Sequence, residues 1–233
     1  MTLGSVHRPQ LADEVTERLR EAIVSGQWPL QERIPPEPEL MAQLGVSRGT
    51  LREGIKALAH AGMLEVRRGD GTYVRAASEI HGAARKAYRE HEDQDVLQVR
   101  FALDTKAARL AARLANDGDI AAMRTMLAKR REAWAAEDLE QWITADWDFH
   151  LKVAESSGNR LLHELYGSFG DVFHGTKMAQ RLRNGFDGCL EAGHEALVAA
   201  IAAGDEDAAV ATVNANLNYC MSWMPQPSAQ PGE

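Results

Sequence analysis

The chain has 233 residues, of which 45% are hydrophobic and 26% are charged, and its formal net charge at pH 7 is −8. Its apolar stretches fall short of the roughly 18 residues that a membrane-spanning helix needs, so we expect no membrane span. The first residues, MTLGSVHRPQ, lack the apolar core of a signal peptide. The composition therefore suggests a globular, cytoplasmic protein of one or two domains.

The charge is unevenly distributed along the chain. Residues 1–76 carry equal numbers of basic and acidic residues, so the remainder carries the whole net charge. Within residues 44–75 the basic residues outnumber the acidic ones. An acidic chain with one locally basic stretch is suited to binding a polyanion at one place rather than over its whole surface.

The first 76 residues predict a helix, then two helices joined by a short turn, then a hairpin. The stretch LADEVTERLREAIVSG has a helical apolar stripe that ends at Gly26. The short helix PELMAQL is stopped by Gly45, and SRGTLREGIKALAHAG forms the next helix, with Ser47 as its N-cap and Gly62 at its end. MLEVRRGDGTYVRA reads as two strands of about five residues around a glycine-containing turn.

Two helices joined by GVS form a helix-turn-helix pattern, in which the second helix reads bases with its N-terminal residues. These candidate DNA-binding residues are Ser47, Arg48, Gly49, Thr50 and Arg52. Arginine is unfavourable in the first turn of a helix because the helix dipole favours acids there, so a phosphate or a guanine explains it better than stability does. The alternative is a pair of helices whose arginines are merely solvated.

Two further features favour DNA binding. Gly49 weakens the first turn of the helix, and its missing side chain allows the backbone to approach DNA closely. Arg67 and Arg68 flank the hairpin turn, where a wing meets the DNA backbone or the minor groove.

The segment LREAIVSGQWPLQERIPPEPELMAQLGVSRGTLREGIKALAHAGMLEVRRGDGTYV resembles the winged helix-turn-helix of GntR-type bacterial transcription regulators. The resemblance covers nearly all of residues 11–75, and it implies operator contacts by the residues at the family's DNA-contacting positions: Ser47, Arg48, Gly49, Arg52, Arg68 and Gly69. There are two departures. Pro38 stands where some members have a DNA-contacting arginine, and Gln31 stands where a turn glycine is usual.

From about residue 78 onward the strand signals vanish. We predict helices near 79–90, 94–116, 118–136, 138–156, 159–180, 187–203 and 205–222, separated by breaks whose Asp or Asn residues suit the capping of the next helix. The predicted fold is therefore mainly α: a winged helix-turn-helix domain over 1–76, an all-α helical-bundle ligand domain over 77–222, and a Pro-rich tail over 223–233 that we expect to be disordered.

The helix DLEQWITADWDFHLKVAESSGN carries Asp146 and His150 one turn apart on a largely apolar face. His194 lies on the apolar face of a later helix, with Leu197 and Ile201. Three inward nitrogen and oxygen ligands with open positions suit Zn²⁺, Ni²⁺ or Mn²⁺. The competing interpretation is a buried Asp146–His150 hydrogen bond with no metal, since an inward histidine is more often part of a core.

The second half is similar to the FadR-like, or FCD, subgroup of GntR-type regulators. The motifs are VRFALDTKAARLAA, DWDFHLKVAESSGN, EAGHEALVAAIAAGDEDAA and NANLN. The resemblance implies a divalent metal held by Asp146, His150, His194 and a fourth position, and a metal that helps to hold a small carboxylate effector. The fourth position is Asn216 where the family usually has histidine.

Two effector-binding candidates accompany the metal site. Arg100 occupies the arginine position of the family's VRxxLE motif, and a guanidinium binds carboxylates through two hydrogen bonds. Its alternative role is a surface or interdomain salt bridge, and Asp104 replaces the usual Glu. His174 in GDVFHGTK is a weaker candidate for the cavity lining. We expect Trp134, Trp142 and Trp147 to be core residues.

These features predict a dimeric, ligand-responsive repressor that binds a palindromic operator and is released by a small organic acid. Two other classes stay open. The first is a metal sensor with the ion itself as effector. The second is a metal-dependent enzyme fused to a DNA-binding head, against which the chain shows no HExxH motif and no nucleophile elbow.

Overall fold

The computed structural model describes residues 10–91, 93–170 and 191–222. Contacts divide the chain into two compact units, Met1–Arg89 and Glu90–Glu233. The described residues are mostly helical, with one two-stranded antiparallel sheet, as the sequence predicts. His174 and the tail 223–233 lie outside the described residues, and the domain limits at residues 76 and 222 stay predictions.

The first unit contains four helices and one hairpin among its described residues. They are α1 Gln10–Val24, α2 Glu37–Leu44, α3 Arg48–His60, β1 Leu64–Arg67, β2 Gly71–Val74 and α4 Glu79–Glu90. The strands have four residues each rather than the predicted five, and Leu64 pairs with Val74.

One apolar core holds this unit together. It takes Val15, Leu19 and Ile23 from α1, spaced four residues apart, and Leu51, Ile55 and Leu58 from α3, spaced four and three residues apart. This spacing places each set on one face of its helix. The buried residues Met63, Leu64 and Val74 extend the core to the hairpin, so the wing is fixed to the helices.

The connection between α1 and α2 also packs on the hairpin. The Ile34 N–H donates to the Thr72 carbonyl at 2.9 Å, and Arg33 forms an isolated antiparallel bridge with Tyr73. Gln31, which replaces the usual turn glycine, adopts a φ of 69°. The backbone here therefore keeps the left-handed conformation that favours glycine, despite the side chain.

The second unit contains six helices among its described residues. They are α5 Asp93–Leu114, α6 Asp117–Ala135, α7 Leu139–Ser156, α8 Arg160–Gly167, α9 Glu191–Ala203 and α10 Glu206–Ser222. Their buried faces are mainly aliphatic and aromatic, with Met123, Leu127, Phe149, Leu197 and Val213 among them.

The predicted breaks between these helices are capped as the sequence indicates. Asn116 forms a capping box with Asp119, and Asp138 and Asn159 accept N–H groups from the first turns of α7 and α8. Asp205 accepts from the Ala208 N–H at 2.9 Å. Each side chain satisfies an N–H that the helix itself leaves unpaired.

Two local predictions are wrong. The helix expected over 159–180 ends at Gly167, where the buried Ser168 hydroxyl donates to the Leu165 carbonyl and competes with the continuing helix. Trp134 is 43% exposed rather than a core residue, because it lies at the end of α6, whereas Trp142 and Trp147 are buried. In the part of the chain that the structure describes, no helix is both long and apolar enough to cross a membrane.

Candidate functional site

The N-terminus of α3 presents the predicted DNA-reading residues. Ser47 is the N-cap, and its hydroxyl oxygen accepts the Thr50 N–H at 3.3 Å. Arg48, Gly49 and Arg52 are exposed, and Thr50 is half-buried. Leu51, Ile55 and Leu58 of the same helix are buried in the core of the first unit, so the two arginines lie at the exposed part of the helix surface.

Arg52 is held by a residue that was not predicted from the sequence. Its Nε atom lies 3.0 and 3.1 Å from the two carboxylate oxygens of Glu37 on α2. Charged pairs of this geometry orient a guanidinium. The contact joins Arg52 to α2, and the Arg52 side chain is 56% exposed.

The hairpin turn carries the other predicted contacts. Arg68 and Gly69 are exposed, and Gly69 has a φ of 77°. The neighbouring Arg67 guanidinium lies 4.5 Å from the centre of the Tyr73 ring. Pro38, where the resemblance led us to expect an arginine in some family members, is exposed on α2 and supplies no charge there.

Asp146, His150 and His194 meet inside the second unit. The Nε2 atoms of the two histidines are 3.3 Å apart, Asp146 Oδ1 is 3.5 Å from His194 Nε2, and Asp146 Oδ2 is 3.8 Å from His150 Nε2. Both Asp146 and His194 are buried, and His150 is nearly so.

These separations fit a shared ion. Metal–ligand bonds of about 2.0–2.2 Å place neighbouring ligand atoms roughly 3–4 Å apart. The three donor atoms lie within 4.8 Å of one another and are the groups that zinc and similar ions bind. The Asp146–His150 separation of 3.8 Å is too long for the direct hydrogen bond of the competing interpretation.

A buried arginine adjoins this trio. Arg130 on α6 places its Nε atom 2.6 Å from Asp146 Oδ1, and both side chains are at least nine-tenths buried. Its guanidinium also lies 4.6 Å from the centre of the Trp142 ring. Arg130 is therefore the hydrogen-bond partner that allows Asp146 to be buried as a carboxylate.

A second buried charged group lies on the other side of His150. Arg100 Nε lies 3.4 Å from Asp104 Oδ2 and donates to the Tyr166 hydroxyl at 3.1 Å, and that hydroxyl donates to Asp104 Oδ1 at 2.7 Å. Asp104 Oδ1 is 3.7 Å from His150 Nδ1. Arg100 is buried, so the surface salt bridge considered from the sequence is wrong, and both Asp104 and Tyr166 belong to its own unit.

Burial sets the protonation of this cluster. It lowers the pKa of His150 well below its usual 6.5, so the imidazole is neutral at pH 7, as a metal ligand must be. Burial alone raises the pKa of Asp146, but the adjacent imidazoles and the Arg130 guanidinium outweigh it and hold this pKa below 3.8. The pKa of Asp104 is raised, by burial.

Asn216 lies next to the turn of α9 that carries His194. A Cβ atom at Gly193 would stand 2.0 Å from Asn216 Oδ1, so the side-chain amide occupies the space that this glycine leaves open. Asn216 is thereby brought beside the residue that precedes His194. His174, the remaining candidate, falls outside the described residues.

Models of known protein families match both the N-terminal and the C-terminal part of the chain. The model of the gntR family of bacterial regulatory proteins matches residues 11–74, and the FCD domain model matches residues 95–219. The chain belongs to the GntR family. It is a DNA-binding transcription regulator with an FCD effector-binding domain, and its relatives are regulators rather than enzymes.

Several curated GntR-family relatives are similar over most of the chain. An Escherichia coli (strain K12) protein, provisionally named as an L-lactate dehydrogenase operon regulatory protein, is 32% identical over 92% of this chain and 86% of its own length. The Uxu operon transcriptional regulator of the same strain is 33% identical over 70% of this chain and 63% of its own length.

Solved structures show the same fold. A GntR protein of Streptococcus agalactiae has a TM-score of 0.53 and 24% identity, over 91% of this chain and 98% of its own. McbR/YncC of E. coli has a TM-score of 0.50 and 21% identity, over 92% of this chain and 97% of its own.

Three residues of these sites were not predicted from the sequence: Glu37, Arg130 and Tyr166. A signal was present for two of them. Arg130 follows the buried Met123 and Leu127 at helical spacing, and Tyr166 follows the buried Leu162 by one turn. For Glu37 we find no such signal, because its partner is 15 residues away on another helix.

Proposed function

We propose that this GntR-family regulator is a homodimeric repressor that binds a palindromic operator and is released by a small organic acid held in the FCD domain with a divalent metal ion. Ser47, Arg48, Gly49, Thr50, Arg52, Arg68 and Gly69 contact the DNA. Asp146, His150, His194 and Asn216 hold the ion, and Arg100 binds the effector carboxylate.

The DNA half of this proposal is supported by the exposure of the N-terminal turn of α3. Arg48 and Arg52 are exposed, whereas Leu51, Ile55 and Leu58 of the same helix are buried. An arginine that donates twice to a guanine contributes about 1–3 kcal/mol of discrimination. A two-fold dimer with such helices reads two half-sites about one helical turn apart.

The proposed binding of metal and effector in the FCD domain rests mainly on one observation, the buried polar cluster. Asp146, His150 and His194 converge within 4.8 Å, next to the buried guanidiniums of Arg100 and Arg130. Buried charges are costly, and buried titratable groups next to specific charged partners are candidates for a ligand-binding site. A bound ion would supply a Lewis-acid site for one effector oxygen, while Arg100 donates to the carboxylate.

An effector changes DNA affinity only through its different affinities for the two states of the protein. Release of the operator therefore requires that the FCD domain with bound effector favours positions of the two winged helix-turn-helix domains that do not fit the operator. A metal-sensing regulator would differ from this proposal in one respect: the ion alone, without an organic acid, would change the affinity for the operator.

The test begins with DNA selected from a random-sequence pool by the full-length protein. We expect the selected sequences to contain an inverted repeat. Arg48→Ala should weaken binding of that DNA by roughly 1–3 kcal/mol, measured by fluorescence anisotropy. Arg18→Ala, which removes an exposed arginine of α1, is the matched control and should bind as the wild type does. Equal binding by both variants would contradict the assignment of α3.

His150→Ala separates the effector half from the DNA half. The variant should bind the selected DNA as well as the wild type does, but its metal content and its response to organic acids should fall. L-lactate belongs in the panel of acids, because one relative is named for an L-lactate dehydrogenase operon. Metal content and response equal to those of the wild type would contradict the pocket assignment.

A further inference from the structure

The charged residues that are buried in the described part of the chain come in balanced numbers. Arg100 and Arg130 supply two positive charges, and Asp104 and Asp146 supply two negative ones. They form two pairs, Arg100 with Asp104 and Arg130 with Asp146, and His150 lies between them with ring nitrogens 3.7 and 3.8 Å from the two carboxylates.

A divalent ion entering between Asp146, His150 and His194 would disturb this balance. The same carboxylate that would bind the ion already accepts the Arg130 Nε–H at 2.6 Å. A guanidinium this close repels a second cation, and the repulsion is strong because the surroundings are buried. Asn216 adds to the effect, since a carboxamide is a weaker metal ligand than the histidine usual at that position.

We infer that Arg130 is a counter-cation that makes metal binding depend on an anion. The inference rests on the proposed function. The metal ion alone binds weakly because the Arg130 guanidinium repels it. A small dicarboxylate bound at the same site carries two negative charges, which offset the two positive charges of the ion. The Arg130 guanidinium then shares its hydrogen-bonding capacity between Asp146 and a carboxylate of the ligand.

This assigns a ligand class as well as a residue role. A dicarboxylate offers one carboxylate to the ion and Arg130 and the other to Arg100, whereas a monocarboxylate leaves one positive charge unmatched. Arg100 of α5 is paired with Asp104 near His150 Nδ1, and Arg130 of α6 is paired with Asp146 near His150 Nε2, so the two guanidiniums approach the trio at two different places, which suits a ligand with two charged ends. Dicarboxylates should therefore strengthen metal binding more than monocarboxylates of similar size.

The experiment measures Zn²⁺ affinity of the full-length protein with a competing chromogenic chelator, without anion, with succinate and with propionate. For the wild type we expect succinate to increase Zn²⁺ affinity roughly tenfold or more, a typical coupling between two ligands, and propionate to do less. Succinate also binds free Zn²⁺, but that lowers the apparent affinity, so an increase cannot come from chelation in solution. By reciprocity, Zn²⁺ should increase succinate affinity by the same factor.

Three variants locate the effect. Arg130→Gln should bind Zn²⁺ more tightly than the wild type without anion and should lose most of the enhancement by succinate. Arg130→Lys keeps the charge and should keep the enhancement, which protects the test if the Gln variant folds poorly. Arg124→Gln removes an exposed charge from the same helix and should behave as the wild type does.

The outcomes distinguish the two proposals. Tight Zn²⁺ binding by the wild type with no change on adding succinate would overturn the role of Arg130 and leave the metal pocket standing. Weaker Zn²⁺ binding by Arg130→Gln than by the wild type, without anion, would also overturn that role. Absence of Zn²⁺ binding under every condition would overturn both the pocket and the role of Arg130.

Discussion

The Arg130 Nε atom lies 2.6 Å from Asp146 Oδ1, so a guanidinium of α6 is paired with the carboxylate of α7 that belongs to the candidate ion site. Each group is buried, and each is costly to bury without the other. Loss of either side chain would leave the other charge buried without its partner, which destabilises the fold. The pair also places the positive charge of Arg130 beside the candidate ion-binding residues.

Removing one member of this pair should cost much more than removing both. Arg130→Gln leaves Asp146 buried without its cation and should lower the free energy of unfolding by about 3–5 kcal/mol. Arg130→Gln combined with Asp146→Asn leaves no buried charge and should recover most of that loss. Urea unfolding followed by tryptophan fluorescence measures both. Losses that simply add would show that the two side chains do not depend on each other.

Gly49→Ala should separate stability from DNA binding. A Cβ atom at this exposed position would meet only Ser47 Oγ, at 3.8 Å, so the substitution is free of strain. It should raise the free energy of unfolding by about 0.5–1 kcal/mol because alanine is the better helix former. Operator affinity should nevertheless fall, since the methyl group points from the face that approaches DNA. Unchanged operator affinity would mean that the backbone at Gly49 stays away from the DNA.

Glu37→Gln tests whether Glu37 positions Arg52. The variant loses the charged contact at 3.0 and 3.1 Å and one negative charge near the DNA. Non-specific affinity should therefore rise, while the preference for the selected operator over random DNA should fall by roughly fivefold, the lower end of the range for one base contact. Gel-shift titrations with both DNAs at one fixed salt concentration measure the ratio. Glu39→Gln, on the same helix, is the control, and an equal loss in that variant would rule out a specific role for Glu37.

Asn216→His should increase metal affinity. Imidazole is a stronger ligand for Zn²⁺ or Ni²⁺ than a carboxamide, and Asn216 lies against Gly193, beside His194. We expect a gain of about tenfold in Zn²⁺ affinity, comparable to the effect of a supporting residue at a metal site. Asn218→His, in which an exposed residue of α10 is replaced, is the control. If the two variants bind Zn²⁺ equally, Asn216 is not part of the ion site.

The acid stability of the second unit should depend on Asp119. The hydrogen bond from Lys152, 2.8 Å away, lowers the pKa of Asp119, so the folded state keeps this carboxyl ionised at a pH where the unfolded chain protonates it. Its contribution is present above the usual pKa of 3.8 and is lost as the pH falls through the lower, folded value. Asp119→Asn should thus lose roughly 1 kcal/mol or less at pH 7.

The same variant should show a shallower decline of stability below about pH 4. Urea unfolding between pH 3 and 7 gives both quantities. Glu155→Gln, which removes the more exposed partner of Lys152, serves as the control. A decline as steep in Asp119→Asn as in the wild type would show that the pair with Lys152 does not contribute to acid stability.

The fold could be predicted from the sequence because its signals are local. Ser47 caps α3 as predicted, Asn116 and Asp138 cap their helices from within the predicted breaks, and the apolar spacing of α1 and α3 specifies the core of the first unit. Asp146, His150 and His194 could be singled out because each is a polar residue on an apolar helix face, and the resemblance to FCD domains suggested that the three meet.

The charged partners could not be predicted in this way. The Arg130–Asp146 pair, the Arg52–Glu37 pair and the contact of Tyr166 with Asp104 each join two helices, and helical periodicity specifies which face is buried but not which side chains meet there. Helical periodicity also failed to predict that Trp134 is exposed, because its exposure depends on where α6 ends.

The most direct test of the proposed function is the affinity of the wild-type protein for its selected operator, measured with Zn²⁺ and a panel of small mono- and dicarboxylates. We predict that at least one carboxylate changes this affinity by roughly fivefold or more. Arg100→Gln should bind the operator normally but lose the response, and Arg100→Lys should keep part of it. If no carboxylate changes operator affinity, or if Arg100→Gln responds as the wild type does, the buried cluster is not the effector site.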